Sequence, residues 1–167
     1  MRLFLVRHGT AEDKGGGSDA ERALTPEGRE EVADVSGSIR AAMDEPAALL
    51  SSPYLRAEQT AEVLRERLKL AAKLRATDAL LPEGGWDALR PVLEDLHRQG
   101  VRAVIAVGHN PSISMMVGEA LSREDGASIA MAKGAVACLD LDDLRRRPAG
   151  ALKWLVTPKS LRGARRA

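Results

Sequence analysis

The sequence is poor in aromatic residues. Its 167 residues include one Phe, one Tyr and two Trp, so the core must be built mostly from aliphatic side chains and Met. Proteins that bind single-stranded nucleic acid stack bases on exposed rings, and four rings are too few for such a platform. The 25 Lys and Arg nearly balance the 24 Asp and Glu. The formal net charge of +1 is too small to attract nucleic acid or a membrane surface. The sequence therefore predicts neither partner.

Cysteine and long apolar runs are equally scarce. The single cysteine, Cys138, excludes an internal disulfide. It lies in the apolar run AVACLDL, which predicts a buried packing residue rather than a nucleophile. No apolar run approaches the ~20 residues of a membrane span. The apolar run at the N-terminus, LFLV, is too short for a signal peptide. These absences predict a cytoplasmic protein.

Short apolar segments alternate with amphipathic ones along the chain. Strands are predicted at residues 3–6, 47–52, 101–108, 134–141 and 150–156, and helices at 25–43, 54–70, 86–100 and 111–122. Residues 71–85 have no clear pattern. Strands separated by helices predict an α/β fold whose sheet is covered on both faces, which makes three layers. We expect a single domain over residues 1–157, followed by a basic, frayed tail over 158–167.

Helix starts and loops follow from local chemistry. A capping residue followed by proline occurs three times, at residues 25–26, 52–53 and 110–111, and each pair predicts the start of a helix. Gly28 and Gly37 weaken the prediction of the first helix, and Pro91 predicts a kink or a late start in the third. The Gly- and Ser-rich residues 10–24 predict a mobile loop, and residues 142–150 a basic turn.

Cationic and titratable side chains follow three of the predicted strands. Arg7 and His8 follow the first, Arg56 lies in the first turn of the helix after the second, and His109 follows the strand AVIAV. Ligands of open α/β sheets bind at the carboxyl ends of the strands, so these side chains should meet. Arg56 opposes the helix dipole at its position, and a bound anion would remove that conflict.

Two imidazoles and two guanidiniums around one point suit phosphoryl transfer. That reaction needs a nucleophile, and cations for the oxygens of the transferred group. A neutral imidazole nitrogen is a good nucleophile near neutral pH. Arginine supplies fixed bidentate donors and does the charge work that a metal does elsewhere. The pattern therefore predicts a site for a phosphoryl group.

Other phosphate and metal sites fit the sequence less well. A zinc site gathers three or four close ligands, but the chain has three histidines in all and contains neither HExxH nor CxxC. We expect His97 on the exposed face of a helix. The glycines of GGGS are not followed by the Lys and Ser or Thr of a P-loop. The sequence therefore predicts no metal and no cofactor.

Three ordered motifs resemble those of the histidine phosphatase superfamily, also called the phosphoglycerate mutase-like or RHG family. They are LVRHGTA, LLSSPYLRAEQTAEVL and VGHNPSIS. The small size, these motifs and the late LKWLVTPKSL look most like the SixA-type phosphohistidine phosphatase branch. The resemblance implies a mostly parallel central sheet flanked by helices, over nearly the whole chain.

The resemblance also implies roles for individual residues. His8 would be the phosphorylated nucleophile, and Arg7, Arg56 and His109 would form the phosphate pocket. Arg22, in ERALTPEG, matches a basic residue of SixA-like relatives and would add a phosphate contact. Many members have a glutamate after the third strand.

Glu83, in LLPEGGW, is the candidate for that general acid, although the neighbouring Pro and Gly suit an ordinary turn equally well. The chain has little room for the insertion that caps the pocket of larger mutases, so we expect a shallow, open pocket. Such a pocket suits a phosphorylated protein better than a small metabolite.

The leading hypothesis is a metal-independent phosphatase acting on phosphohistidine in a protein. Two alternatives stay open: a phosphatase of small phosphate esters in the same superfamily, and a non-catalytic module that binds phosphorylated groups. The sequence leaves the oligomeric state open.

Overall fold

The computed structural model describes residues 1–13, 15, 17–122, 128–144 and 149–164. The strands are β1 (Arg2–Arg7), β2 (Ala47–Ser51), β3 (Leu74–Ala76), β4 (Ala103–Gly108), β5 (Val136–Asp143) and β6 (Ala149–Val156). The helices are α1 (Pro26–Ala42), α2 (Leu55–Leu68), α3 (Trp86–Arg98), α4 (Ser112–Leu121) and α5 (Pro158–Ala164). Short 3₁₀ helices cover Asp19–Glu21 and Asp78–Leu80.

The strands form one mixed sheet in the order β3-β2-β4-β1-β5-β6. The four strands from β3 to β1 pair in parallel, β5 pairs antiparallel with β1, and β6 antiparallel with β5. The mostly parallel sheet is therefore confirmed. The carboxyl ends of β1, β2 and β4, which are neighbours at the centre, meet at one end of the sheet.

Helices cover both faces of the sheet. Along β1, Leu3 and Leu5 pack into one apolar cluster with α3 and α4, while Phe4 and Val6 pack into another with α1 and α2. All four side chains are fully buried. The alternation along a strand thus produces two cores, and the predicted three layers are confirmed.

The predicted start of α1 is confirmed. The Oγ1 of Thr25 accepts the backbone N–H of Gly28 at 3.0 Å. A Cβ on Gly28 would lie 2.1 Å from the carbonyl oxygen of Thr10, and one on Gly9 would lie 2.6 Å from the carbonyl oxygen of Gly28. Gly28 lowers helix propensity, but only glycine lets the chain after β1 pack this closely on α1.

The other two predicted caps are wrong. α2 begins at Leu55 and α4 at Ser112, and neither has a side-chain cap. The hydroxyl of Ser52 accepts the backbone N–H of Tyr54, just before α2, and also contacts the imidazole of His109. The amide nitrogen of Asn110 donates to the carbonyl oxygen of Met131 at 3.2 Å. Ser52 and Asn110, which the local pattern assigns to helix starts, thus form hydrogen bonds with residues distant in sequence.

The frayed tail is also wrong for residues 158–164, which form α5. Pro158 is buried, Leu161 packs against the core, and Arg162 Nε donates to Asp34 Oδ2 at 2.6 Å. Residues 165–167 lie outside the described part. Within the unassigned residues 71–85, the structure places β3 and a 3₁₀ helix.

Two other predictions meet the structure in part. α3 runs from Trp86 through Pro91, so the late start is wrong. In the predicted mobile loop, Ser18 caps the 3₁₀ helix Asp19–Glu21; residues 14 and 16 lie outside the described part, as do 145–148 of the basic turn. Across the described ranges, no helix is long and apolar enough to cross a membrane.

Candidate active site

Arg7 ends β1, and His8 follows it. The backbone continues the sheet here, because the N–H of His8 donates to the carbonyl oxygen of Gly108 in β4 at 3.1 Å. Arg7 Nη1 donates to the carbonyl oxygen of Met131 at 2.8 Å. Arg7 Nε is buried without a partner among the described residues. The Nε–H of Arg7 could therefore donate to a bound ligand.

Two hydrogen bonds fix the tautomer of His8. Arg56 Nε, which can only donate, lies 3.2 Å from His8 Nε2, so Nε2 accepts and carries the lone pair. His8 Nδ1 lies 2.7 Å from the carbonyl oxygen of Gly9, which can only accept, so Nδ1 carries the proton. His8 is thus neutral, with a lone pair on Nε2.

Arg56 lies in the first turn of α2 and is 4% exposed. Its Nη1 donates to the carbonyl oxygen of Asp19, and its Nη2 to the Asp19 carboxylate at 2.8 Å. The guanidinium also lies over the ring of Tyr54, with Cζ 5.0 Å from the centroid. The anion expected beside Arg56 is therefore supplied here by Asp19.

Arg22 meets the same carboxylate from the other side. Its Nη1 donates to Asp19 Oδ1 at 3.0 Å, and its Nε to the carbonyl oxygen of Glu12. Asp19 consequently bridges Arg22 and Arg56. These hydrogen bonds hold the pKa of Asp19 below its usual value.

His109 follows β4 and is 2% exposed. Its ring lies 5.0 Å, centroid to centroid, from the rings of both His8 and Tyr54. Its Nε2 lies 2.9 Å from the Oγ of Ser52, and its Nδ1 is buried without a partner in the described part of the chain. We call Arg7, His8, Arg56 and His109 the strand-end cluster.

Burial and neighbouring cations keep both imidazoles of the strand-end cluster neutral. Burial is the largest cause, and the guanidiniums of Arg56 and Arg7 add repulsion; together they lower the pKa of His8 to about 4 and that of His109 to about 3. Burial also lowers the pKa of Arg7. Guanidiniums around uncharged imidazoles could bind an anion.

Thr60 connects Gly9, next to His8, with Arg56. Its fully buried Oγ1 accepts the N–H of Gly9 at 3.2 Å and donates to the carbonyl oxygen of Arg56 at 2.7 Å. Gly9 and Arg56 are the two residues that bond the His8 ring. The Thr60 hydroxyl therefore connects the two residues that hydrogen-bond to the His8 ring.

Glu83 and His97 lie outside the strand-end cluster. Glu83 is exposed and lines a surface depression with Trp86 and Glu119. It forms no hydrogen bond with the cluster, whose residues are all described. His97 is exposed on α3, as predicted. Within the described residues, no group of three or more His, Cys, Asp or Glu could hold a metal ion.

Cys138 matches its prediction. It is 1% exposed, and burial raises the pKa of its thiol to about 11. A thiol of this kind stays protonated and packs as a small apolar side chain.

Sequence reasoning missed Asp19, Ser52 and Thr60. Asp19 stands 37 positions from Arg56 in a glycine-rich loop, and no local pattern connects the two. Ser52 was available as a signal, because it directly follows β2 at the end of the sheet where ligands bind. Thr60 stands one helical turn after Arg56, in a position that suits ordinary packing equally well.

Comparisons with known proteins agree with this arrangement. The model of the histidine phosphatase superfamily (branch 1) matches residues 3–83. Phosphohistidine phosphatase SixA of Escherichia coli is 29% identical over 165 residues, which are 99% of each chain. The SixA homolog of Haemophilus influenzae is 28% identical and covers 77% of this chain and 82% of its own.

A solved structure, that of the protein histidine phosphatase SixA complexed with tungstate, superposes with a TM-score of 0.83. It is 28% identical and covers 96% of this chain and 99% of its own. The match thus extends well beyond the residues of the family model, to β4, α4 and the antiparallel strands. The sequence motifs, the sheet order and these likenesses have one explanation: the chain belongs to the histidine phosphatase superfamily.

Proposed function

We propose that this protein is a metal-independent phosphatase that removes the phosphoryl group from phosphohistidine in a protein and carries it briefly on His8. The hydrogen bond from Arg56 Nε to His8 Nε2, 3.2 Å long, carries the proposal. It means that the lone pair of a neutral imidazole lies within reach of a guanidinium able to bind the oxygens of the transferred group. A nucleophile and its charge stabiliser are thus side by side.

In the first step, His8 Nε2 attacks phosphorus. A P–N bond forms on His8 while the bond from phosphorus to the substrate's imidazole breaks. Arg56 turns its donors from Nε2 to the phosphoryl oxygens, and Arg7 offers its unpartnered Nε. The guanidiniums neutralise charge on these oxygens in the transition state. The substrate imidazole leaves neutral, once solvent has protonated its other nitrogen.

In the second step, water attacks phosphorus and the P–N bond of phosphorylated His8 breaks. The electron pair returns to Nε2, and both hydrogens of the water leave with the phosphate. The proton on His8 Nδ1 stays in place throughout, donating to the carbonyl oxygen of Gly9. That carbonyl stabilises the positive charge of the phosphorylated ring.

Substrate class is supported by two observations. The Escherichia coli relative that aligns over 99% of this chain is a phosphohistidine phosphatase by name, and one SixA structure holds tungstate, a tetrahedral oxyanion. The connection between β3 and α3, residues 77–85, contains only a 3₁₀ helix. A connection this short carries no long insertion to cap the strand-end cluster, which favours a phosphorylated protein as the substrate. We propose a cytoplasmic location to match.

Glu83 and Arg22 take supporting roles in the proposal. Glu83 would protonate alkoxide leaving groups, which need an acid, whereas imidazole does not. Its exposed position suits a group used only for some substrates. Arg22 would bind phosphate once Asp19 releases it. Glu83→Gln should therefore slow alkyl phosphates far more than phosphohistidine; equal loss on both would contradict the acid role.

The experiment is a comparison of turnover on a phosphohistidine-carrying protein and on a panel of small phosphate esters. We expect faster turnover of phosphohistidine, no effect of chelators, and a brief acid-labile, alkali-stable phosphoryl group on His8. Faster turnover of a sugar or glycerate phosphate would favour the small-molecule phosphatase. Binding without any turnover, including that of aryl phosphates, would favour the binding module.

A further inference from the structure

The hydroxyl of Ser52 lies between a helix start and an imidazole. It is fully buried at the end of β2. Its Oγ accepts the backbone N–H of Tyr54 at 3.3 Å and lies 2.9 Å from His109 Nε2. A serine hydroxyl has one hydrogen to donate, and the question is where that hydrogen goes.

Among the described residues, one arrangement gives both the oxygen and the hydrogen of the Ser52 hydroxyl a partner. If His109 Nε2 carried the proton, it would donate to Oγ, and the Ser52 hydrogen would be left without an acceptor in a fully buried place. The Nδ1 lone pair would then lack a partner as well, so two buried polar groups would be unsatisfied among the described residues. If the hydroxyl donates to Nε2, Oγ still accepts from Tyr54, and only the N–H on Nδ1 lacks a partner there.

The proton of neutral His109 then belongs on Nδ1. That nitrogen is buried without a partner in the described part of the chain. An N–H there has nothing to donate to until an acceptor enters. A phosphoryl group is such an acceptor, since its ionised oxygens accept hydrogen bonds and donate none.

We propose that Ser52 is a positioning residue that fixes His109 in its Nδ1–H tautomer, so that the second imidazole offers a donor to the transferred phosphoryl group. The use of that donor rests on the proposed function, whereas the tautomer does not. Both imidazoles of the strand-end cluster then have the same tautomer for opposite purposes. His8 presents a lone pair on Nε2, and His109 presents an N–H on Nδ1.

The primary test is the tautomer itself, read from ¹H–¹⁵N long-range correlation spectra of the imidazoles in the full chain at pH 7. The chain has three histidines, and His97→Gln helps to assign them. We expect a protonated Nδ1 and an unprotonated Nε2 for His109. A protonated Nε2 in the unsubstituted protein would overturn the proposal, whatever the activity.

Variants of two adjacent serines supply the second test. Ser52→Ala should move His109 toward the Nε2–H tautomer and raise the Ki of inorganic phosphate about tenfold or more, in line with the loss of one aligned donor. Ser51→Ala is the matched control, because the Ser51 hydroxyl is equally buried but has no hydrogen-bond partner among the residues that the structure describes. It should change neither measurement. Ser52→Thr, which keeps the hydroxyl, should restore the tautomer.

The outcomes separate this proposal from the proposed function. If Ser52→Ala keeps the Nδ1–H tautomer and the original Ki, Ser52 does not position His109. If the spectra and Ki values come out as expected but phosphohistidine is not turned over, the positioning role of Ser52 stands and the substrate assignment fails.

Discussion

Arg2 and Arg7 stand at opposite ends of the same strand, β1, and differ in what they bind. Arg2 donates to the Asp140 carboxylate at 2.9 Å and to the carbonyl oxygen of Ala42, and it pairs with Asp44 at 3.3 Å. The bond to Asp140 raises the pKa of Arg2. Within the described residues, Arg7 has one carbonyl partner and no hydrogen-bonded carboxylate, and burial lowers its pKa.

Under the proposed function, the difference separates a cation that stabilises the fold, Arg2, from one that binds the phosphoryl group, Arg7. At the amino end of the sheet, the carboxylates of the chain satisfy the arginine. At the carboxyl end, burial of Arg7 disfavours its charge until an anion arrives, and the Glu31 carboxylate offsets this only in part. Proteins tolerate such a cost at functional sites, so incomplete satisfaction of Arg7 distinguishes the two ends better than charge alone.

The largest effect is expected at the buried His8, and the exposed His97 is its control. His8→Ala should lower kcat more than about 10⁴-fold, as loss of a nucleophile does elsewhere. His97→Ala, at the exposed face of α3, should leave kcat unchanged. Steady-state kinetics on phosphohistidine protein gives both values. Substantial turnover by the His8 variant would remove it from the nucleophile role.

The same substitution at both arginines tests the comparison directly. Arg7→Met should lower kcat/KM by about 10²–10³-fold, since a charge-stabilising donor is lost, while the free energy of unfolding stays equal or rises. Arg2→Met should keep kcat/KM and lower the free energy of unfolding by about 1–3 kcal/mol, because its hydrogen bonds join charged groups. Kinetics and urea denaturation separate the two. A stability loss at Arg7 as large as that at Arg2 would erase the distinction.

Acid should lower the free energy of unfolding through His8 and His109, which lie at the carboxyl ends of parallel strands. His8 and His109 have an unfolded pKa near 6.5 and folded pKa values of about 4 and about 3, so between these values the unfolded chain binds more protons. Stability is then full above pH 6.5 and falls as pH drops toward 4. Each histidine contributes up to about 1.4 kcal/mol per pH unit. Urea denaturation from pH 4.5 to 7.5 measures the slope.

A variant check sharpens this pH dependence. His109→Asn should flatten the slope, because it removes one of the two buried titrating groups. His97→Gln, an exposed site, should not. A slope that survives in both variants would assign the acid sensitivity to groups outside the strand-end cluster.

The smallest effect concerns the carboxylates that meet arginines at each end. Asp19→Asn should lower the Ki of inorganic phosphate about threefold to tenfold, a gain of up to about 1.4 kcal/mol, since phosphate no longer displaces a charged competitor. Asp140→Asn should leave that Ki unchanged. A higher Ki for the Asp19 variant would mean that this carboxylate aligns Arg56 for phosphate.

Much of the architecture follows from local patterns. The buried run of β1 and the apolar stripes of the helices predict the layers, and strand ends predict where cations and imidazoles meet. β3 was not predicted because it is a short edge strand in which Arg75 and Ala76 are exposed. α5 was not predicted because packing on α1, through contacts such as that of Arg162 with Asp34, stabilises it.

The site was harder to predict in its supporting residues. Arg7 ends a strand, and His8 and His109 directly follow strands, so their meeting follows from topology. The local sequence explains Ser52 fully as a helix cap. Its contact with His109, a residue distant in sequence, is seen only in the folded structure. Asp19 reaches Arg56 across a loop whose course no periodicity determines. Local rules therefore identify which residues meet better than how their hydrogen bonds are arranged.

The carboxylate of Asp19 gives the anion site a built-in threshold. Because it is tethered to the chain, it competes for Arg56 at an effective concentration on the order of millimolar, however dilute the protein is. Weakly held monoanions, such as free carboxylates at lower concentration, do not displace it. Under the proposed function, a doubly charged phosphoryl group would also reach Arg7 and Arg22 and so displace the carboxylate. The Asp19 bridge between Arg22 and Arg56 would therefore select doubly charged anions over monoanions.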